Sequence, residues 1–122
     1  MSSYSITAKM KDTTYDSDVG IGIVRVTTGS AEQMLLQEIG TSEEEITLLS
    51  DITGGNGPGY AYFENLDDTN YVEIGTATTV YWMKLDAESK AILPLNSTVT
   101  SVFLKANTAA VDVRIKIVER GA

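Results

Sequence analysis

Residues 111–117 read Val111-Asp112-Val113-Arg114-Ile115-Lys116-Ile117. Every odd position is valine or isoleucine and every even position is charged. Strict period two buries one face of a strand and wets the other, as antiparallel sheets do. Just upstream, 98–105 alternates less cleanly, with Val102 and Leu104 on one side and Val99 and Phe103 on the other. Apolar residues on both sides predict a strand covered on both faces or lying in a subunit contact. Ala106-Asn107-Thr108-Ala109, between the two runs, reads as a short hairpin connection.

The same pattern extends back along the chain. Val80-Tyr81-Trp82-Met83 and Ala91-Ile92-Leu93 flank Leu85-Asp86-Ala87-Glu88-Ser89, a second strand–turn–strand unit. Pro94 lacks a ladder donor, so it ends its strand or lies on an edge. A short strand over 71–74 points Val72 and Ile74 inward. The strand over 60–66 leaves through Leu66-Asp67-Asp68-Thr69-Asn70, where Asp and Asn close on their own backbone. Thr53-Gly54-Gly55-Asn56-Gly57-Pro58-Gly59 is a loop, and no Lys-Ser/Thr follows it to make a phosphate site.

Residues 30–40 admit two readings. Ser30-Ala31-Glu32-Gln33 fits a helix capping box, with Met34, Leu35 and Ile39 on one face and Gly40 as the stop. Ten residues make a marginal helix, however, and β-rich neighbours favour a strand over 33–39. That strand would turn at Gly40-Thr41-Ser42-Glu43 into another over 45–49. Ile21, Ile23, Val24 and Val26 change phase at Ile23–Val24, which predicts a β-bulge. Residues 4–10 form a first strand or an arm. Eight to ten short strands with regular turns predict an all-β, single-domain antiparallel β-sandwich of jelly-roll-like type. Residues 1–18 are the N-terminal arm or first strand, and residues 19–122 the sandwich domain.

Composition agrees. The chain has 122 residues and 13.2 kDa, enough for one core. Thr, Val and Ile fill 35 positions, and these side chains suit a pleated surface. Cysteine and histidine are absent, which excludes thiol nucleophiles, disulfides, Cys/His zinc sites and Ser-His-Asp triads. The net charge is −8, and residues 26–83 hold ten acids and no base. Such a stretch repels phosphates, so no nucleic-acid partner is expected. No apolar run is long enough to span a membrane. The polar start, 1–10, lacks a signal peptide's apolar run, which points to synthesis in the cytoplasm.

Three groups of residues invite a chemical reading. Glu64 and Glu73 flank a turn, and on paired strands they would form an acid–base couple. Asp16-Ser17-Asp18 and Asp67-Asp68-Thr69-Asn70 offer oxygens to calcium without EF-hand spacing, and Asx turns explain both. Tyr60, Tyr62, Tyr71, Tyr81 and Trp82 suit a core or interface, or a platform for sugar rings. The expectation is a non-enzymatic protein with no cofactor, metal or catalytic residue.

Three stretches carry a resemblance. They are Gly59-Tyr60-Ala61-Tyr62-Phe63-Glu64-Asn65-Leu66-Asp67-Asp68-Thr69-Asn70-Tyr71-Val72-Glu73-Ile74-Gly75, then Lys84-Leu85-Asp86-Ala87 to Leu93-Pro94-Leu95, then Leu104-Lys105-Ala106-Asn107-Thr108-Ala109-Ala110-Val111. The chain here resembles small virion structural proteins of tailed bacteriophages, of the head-decoration (cement) or fibre-associated kind, over roughly residues 40–118. The resemblance implies a jelly-roll-like domain that forms a homotrimer on a capsid or tail. The leading expectation is a decoration protein on the outer capsid surface, bound to the major capsid protein or another virion protein. The alternative is a tail or head-fibre module that binds host-surface glycan or adapts a fibre to the virion. Candidate capsid contacts are Tyr4, Ile6, Lys9, Lys11, Lys105, Arg114 and Lys116. Candidate subunit contacts are Val99, Phe103, Tyr71, Tyr81 and Trp82.

Overall fold

The alternating run at 111–117 becomes the middle strand of the larger sheet. A computed structural model describes residues 2–12 and 17–121, those before Thr28 by strand pairing alone. Strand β9 (Val111–Arg120) lies between β2 (Ser17–Ile39) and β4 (Pro58–Asn65). Beyond β4 comes β7 (Lys90–Pro94), and on the far side of β2 comes β1 (Ser2–Asp12). The second sheet runs β3 (Glu44–Thr47), β8 (Ser101–Ala106), β5 (Val72–Gly75), β6 (Met83–Leu85). Every pairing is antiparallel, and α1 (Ser50–Thr53) is a single turn. With β1 set aside, the order 2-9-4-7 faces 3-8-5-6, the layout of an eight-stranded jelly roll.

Alternation decides what is buried. The odd residues Val111, Val113, Ile115 and Ile117 of β9 join Ala61 and Phe63 of β4 and Ile39 of β2 in the core. Val102 and Leu104 of β8, Val72 and Ile74 of β5, and Leu85 of β6 complete the same cluster. Pro94 closes β7, an edge strand, as its missing donor requires.

Three connections that read as hairpins are crossings between the sheets. The links β4 to β5, β6 to β7 and β8 to β9 each leave one sheet and enter the other. Turn chemistry specifies that the chain reverses, and leaves open which layer takes the next strand. The turn at Asp67 is as expected: Asp67 Oδ2 accepts from the amides of Thr69 (3.0 Å) and Asn70 (2.6 Å). What it joins is two layers. Leu85, read as a turn residue, belongs to β6, and β8 starts three residues later than the period-two run.

The segment 30–39 is strand, inside the 23-residue β2. Pairing with β9 supplies what a ten-residue helix lacks, so the capping-box reading fails. Residues 17–28 of β2 pair with β1, and residues 32–39 pair with β9. Thr28 belongs to both, opposite Ser2 on one side and Arg120 on the other. The β1–β2 ribbon therefore continues the sheet beyond the jelly roll, with no third strand among the described residues. The phase change expected at Ile23–Val24 falls between Val19 and Gly22, where two β2 residues oppose Lys9.

Candidate interaction surface

The candidate acid–base couple is not assembled. Glu64 lies on β4 and Glu73 on β5, in different sheets. Glu64 accepts from Tyr62 Oη (2.8 Å) and from Arg114 Nη1 (2.9 Å), with Lys90 Nζ at 3.9 Å. The Tyr62 hydrogen bond, then the two cations, hold its carboxyl below the usual glutamate range. A carboxylate so engaged is a structural anchor. Glu43 is similar: Tyr81 Oη donates at 2.5 Å, Thr78 Oγ1 at 2.7 Å and the Thr79 amide at 2.7 Å. Glu43 is lowered, chiefly by Tyr81, while burial and Glu43 push the Tyr81 phenol up to about 12.

Glu119, 8% exposed, was not singled out by sequence reasoning. It follows Ile117 at the inward phase of β9, a signal obscured by Val118. Its Oε2 accepts from the Asn56 amide (2.9 Å) and Oε1 from the Ala31 amide (3.2 Å). Gly29 and Gly55 make room, because a Cβ on either would run into the carboxylate. An open groove of about 520 Å³ lies above it, lined by Ser30, Asp51 and Gly54 among others. Both carboxylate oxygens of Glu119 already serve backbone donors, so this acid is a structural anchor. Among the described residues no group of three possible ligands could hold a metal, and Asp16 lies outside them.

The two amides, Asn56 first, lower the Glu119 carboxyl below its ordinary 4.5. Glu43, Glu64 and Asp67 are lowered too. Each ion favours the folded chain, so its contribution is complete above the ordinary carboxyl value and is lost as pH falls through the lowered one. Calorimetric melting temperatures should therefore be flat near neutrality and fall below about pH 4.5. Glu119→Gln should melt lower at neutral pH and show a shallower acid limb.

The exterior of the five-stranded sheet is the surface that stands out. Rows across β2, β9, β4 and β7 read Glu32–Val118–Tyr60–Pro94, Met34–Lys116–Tyr62–Ile92 and Leu36–Arg114–Glu64–Lys90. Met34 is 65% exposed, Leu36 63% and Ile92 49%. An antiparallel sheet that faces only water normally carries polar residues there. The β1–β2 ribbon prolongs the sheet beyond these rows, with Tyr4 opposite Val26 and Ile6 opposite Val24.

The candidate capsid contacts are dispersed by the fold. Arg114 and Lys116 lie on this exterior, beside Glu64 and Glu32. Lys105, exposed and opposite Glu73, lies on the other sheet. Tyr4, Ile6, Lys9 and Lys11 are on β1. The candidate subunit contacts belong to the smaller-sheet side: Val99 packs on the core, and Phe103 is half-buried between Glu45 and Gly75. Tyr71 lies under Lys84 Nζ at 4.3 Å, and Trp82 is 47% exposed. The aromatics are thereby split, Tyr60 and Tyr62 on one sheet and Tyr71, Tyr81 and Trp82 beside the other, so they form no common sugar platform. Met34 and Leu36 had been missed because Leu35 and Ile39 are also apolar, which hid the exposed phase. Compared with known proteins, the chain matches no family model, no curated protein and no solved structure.

Proposed function

We propose that this protein is a structural component of a tailed-phage virion, a decoration protein that lies across junctions of major capsid subunits and stabilises the head. The observation that carries this reading is the exterior of the five-stranded sheet, where the exposed apolar side chains of Met34, Leu36 and Ile92 stand among charged residues in adjoining rows. A patch of this kind on a small soluble domain marks an interaction face, whereas the described cavity is an open groove over a carboxylate already in use. Jelly rolls recur in viral capsid proteins, which supports the reading by analogy of fold. The resemblance of residues 59–75, 84–95 and 104–111 to phage structural proteins points the same way, and the acidic body discourages adhesion to packaged DNA. The five-stranded sheet faces the capsid, with Arg114 and Lys116 beside the exposed Leu36 and Met34, and Lys105 faces away.

Binding only to the assembled shell stabilises it by mass action. Heads made without the protein should assemble yet release DNA at a lower temperature, and purified protein should restore them. Met34→Glu/Ile92→Glu should leave the melting of the isolated protein unchanged and weaken head binding by at least about tenfold, the scale for two charges set into an apolar contact. Heads equally robust without the protein, but defective in adsorption to host cells, would overturn this reading in favour of the fibre module.

A further inference from the structure

The loop into β4 reads Gly54-Gly55-Asn56-Gly57-Pro58-Gly59, and of the five asparagines in the chain only Asn56 precedes a glycine. The others are followed by Leu66, Tyr71, Ser97 and Thr108. An asparagine can turn its side-chain carbon onto the next residue's amide nitrogen and close a succinimide ring. Glycine, with no side chain to crowd that closure, permits it best. Asn56 is exposed, yet the peptide bond it shares with Gly57 is held on both sides. The Asn56 amide donates to Glu119 Oε2 (2.9 Å), and its Nδ2 donates to the Arg120 carbonyl (3.3 Å). The Gly57 amide, whose nitrogen would have to attack, donates to the Ile52 carbonyl (3.0 Å). The Gly57 carbonyl accepts from the Arg120 amide (2.8 Å).

Ring closure requires the Gly57 nitrogen to leave Ile52, lose its proton to a base in solvent and bond to Asn56 Cγ. The Cγ–Nδ2 bond then breaks, and Nδ2 departs as ammonia with a proton regained from solvent. Water opens the ring at either carbonyl. Attack at Cγ restores the ordinary main chain with aspartate at position 56. Attack at the Asn56 main-chain carbonyl carbon leaves Gly57 joined through Cγ, as isoaspartate, with an additional carbon in the main chain. Either way water enters, ammonia leaves and nothing is oxidised. Neither product suits the closed loop. Aspartate sets a carboxylate against the Arg120 carbonyl, where Nδ2 had donated, and close to Glu119. Isoaspartate lengthens the chain between an amide anchored on Glu119 and one anchored on Ile52. Gly57 cannot shift to absorb the extra length, because the Ser97 backbone packs against it.

We propose that Asn56 is a self-modification site gated by the fold. The closed loop preserves the side-chain amide. An opening that frees the Gly57 N–H lets Asn56 convert to aspartate and isoaspartate, and the isoaspartate chain does not rebuild the loop. Time spent open is thereby recorded in the covalent structure. The inference concerns the chemical lifetime of the chain itself, so it and the virion reading can fail separately.

The full chain is aged at mildly alkaline pH in buffer and, separately, in urea, and the peptide spanning Asn56 is followed by mass spectrometry. The gain of about one dalton that marks conversion should accumulate at least about tenfold faster in urea, as protection by a closed, hydrogen-bonded loop requires. Glu119→Gln sets an NH₂ donor against one of the two amides that Glu119 holds, so it should convert faster than the unaltered chain in buffer alone. After dilution from urea, the fraction that fails to refold should be enriched in isoaspartate. Asn56→Gln, whose longer side chain closes its ring far more slowly, should refold as well after the exposure as before it. Equal rates in buffer and urea, a Glu119→Gln chain that converts no faster, or isoaspartate shared equally between refolded and unfolded fractions would each overturn the proposal. So would an Asn56→Gln chain that loses its ability to refold as fast as the unaltered one.

Discussion

Asn65→Ala should lower the melting temperature by roughly 8–15 °C, the equivalent of about 2–4 kcal/mol in a domain of this size. Asn65 is 1% exposed at the end of β4, where the chain leaves the larger sheet. Its Nδ2 donates to the carbonyls of Asn70 (2.9 Å) and Leu85 (3.1 Å), and its Oδ1 accepts from the Asp67 amide (2.9 Å). One amide thus holds the crossing turn together and ties it to β6. Alanine leaves two carbonyls and an N–H without these partners, the costly kind of loss. Asn65→Asp separates polarity from shape. It keeps the acceptor but sets a carboxylate against two carbonyl oxygens, so at neutral pH it should melt below the alanine variant and recover in part on acidification. An aspartate variant as stable as the native chain in thermal denaturation would contradict this account.

Gly57→Ala is expected to cost at least about 3 kcal/mol, combining left-handed strain with a backbone collision. Gly57 has φ +81°, and a Cβ there would collide with the carbonyl oxygen of Ser97, which is main chain and cannot swing aside. Its own backbone is committed as well, because the amide donates to Ile52 (3.0 Å) and the carbonyl accepts from Arg120 (2.8 Å). Gly40→Ala is the control. Nothing lies within 4 Å of a Cβ at that position, so the change should stay within about 0.5 kcal/mol of neutral. Urea titration of both variants reads the difference directly. A Gly57→Ala protein as stable as Gly40→Ala would contradict the packing described at the start of β4.

Much of the fold was legible where side chains alternate without interruption. The run from Val111 to Ile117, the inward pair Val72 and Ile74, the Asx turn at Asp67 and the edge position of Pro94 are local consequences of residue type. What local reading missed is the identity of the neighbour. Asp67 and Asn70 fold the same turn whether the next strand stays in its layer or leaves it, so the three crossings looked like hairpins. Asn65 looked like an ordinary polar strand residue because its partners, Asn70 and Leu85, are recruited only once the layers meet. The candidate surface was hidden for a related reason. Lys105, Arg114 and Lys116 are neighbours in a basic segment, but the crossing between β8 and β9 sends them to opposite sides of the molecule.

The place of β9 has a consequence for how the chain comes into being. It follows every other described strand in the sequence, yet it lies between β2 and β4, and Thr28 finds Arg120 only 92 positions later. The β1–β2 and β4–β7 pairs cannot be joined into one sheet until β9 has been made. At roughly 5–20 residues per second, β2 waits several seconds or more with Met34, Leu35 and Leu36 unpaired. Folding then has to join distant segments, which is slow for a chain of any stability. A ribosome that stops before Val111 therefore releases a polypeptide that has every strand of the smaller sheet but lacks the one that joins the two halves of the larger, and the burden of keeping it soluble passes to chaperones and proteases.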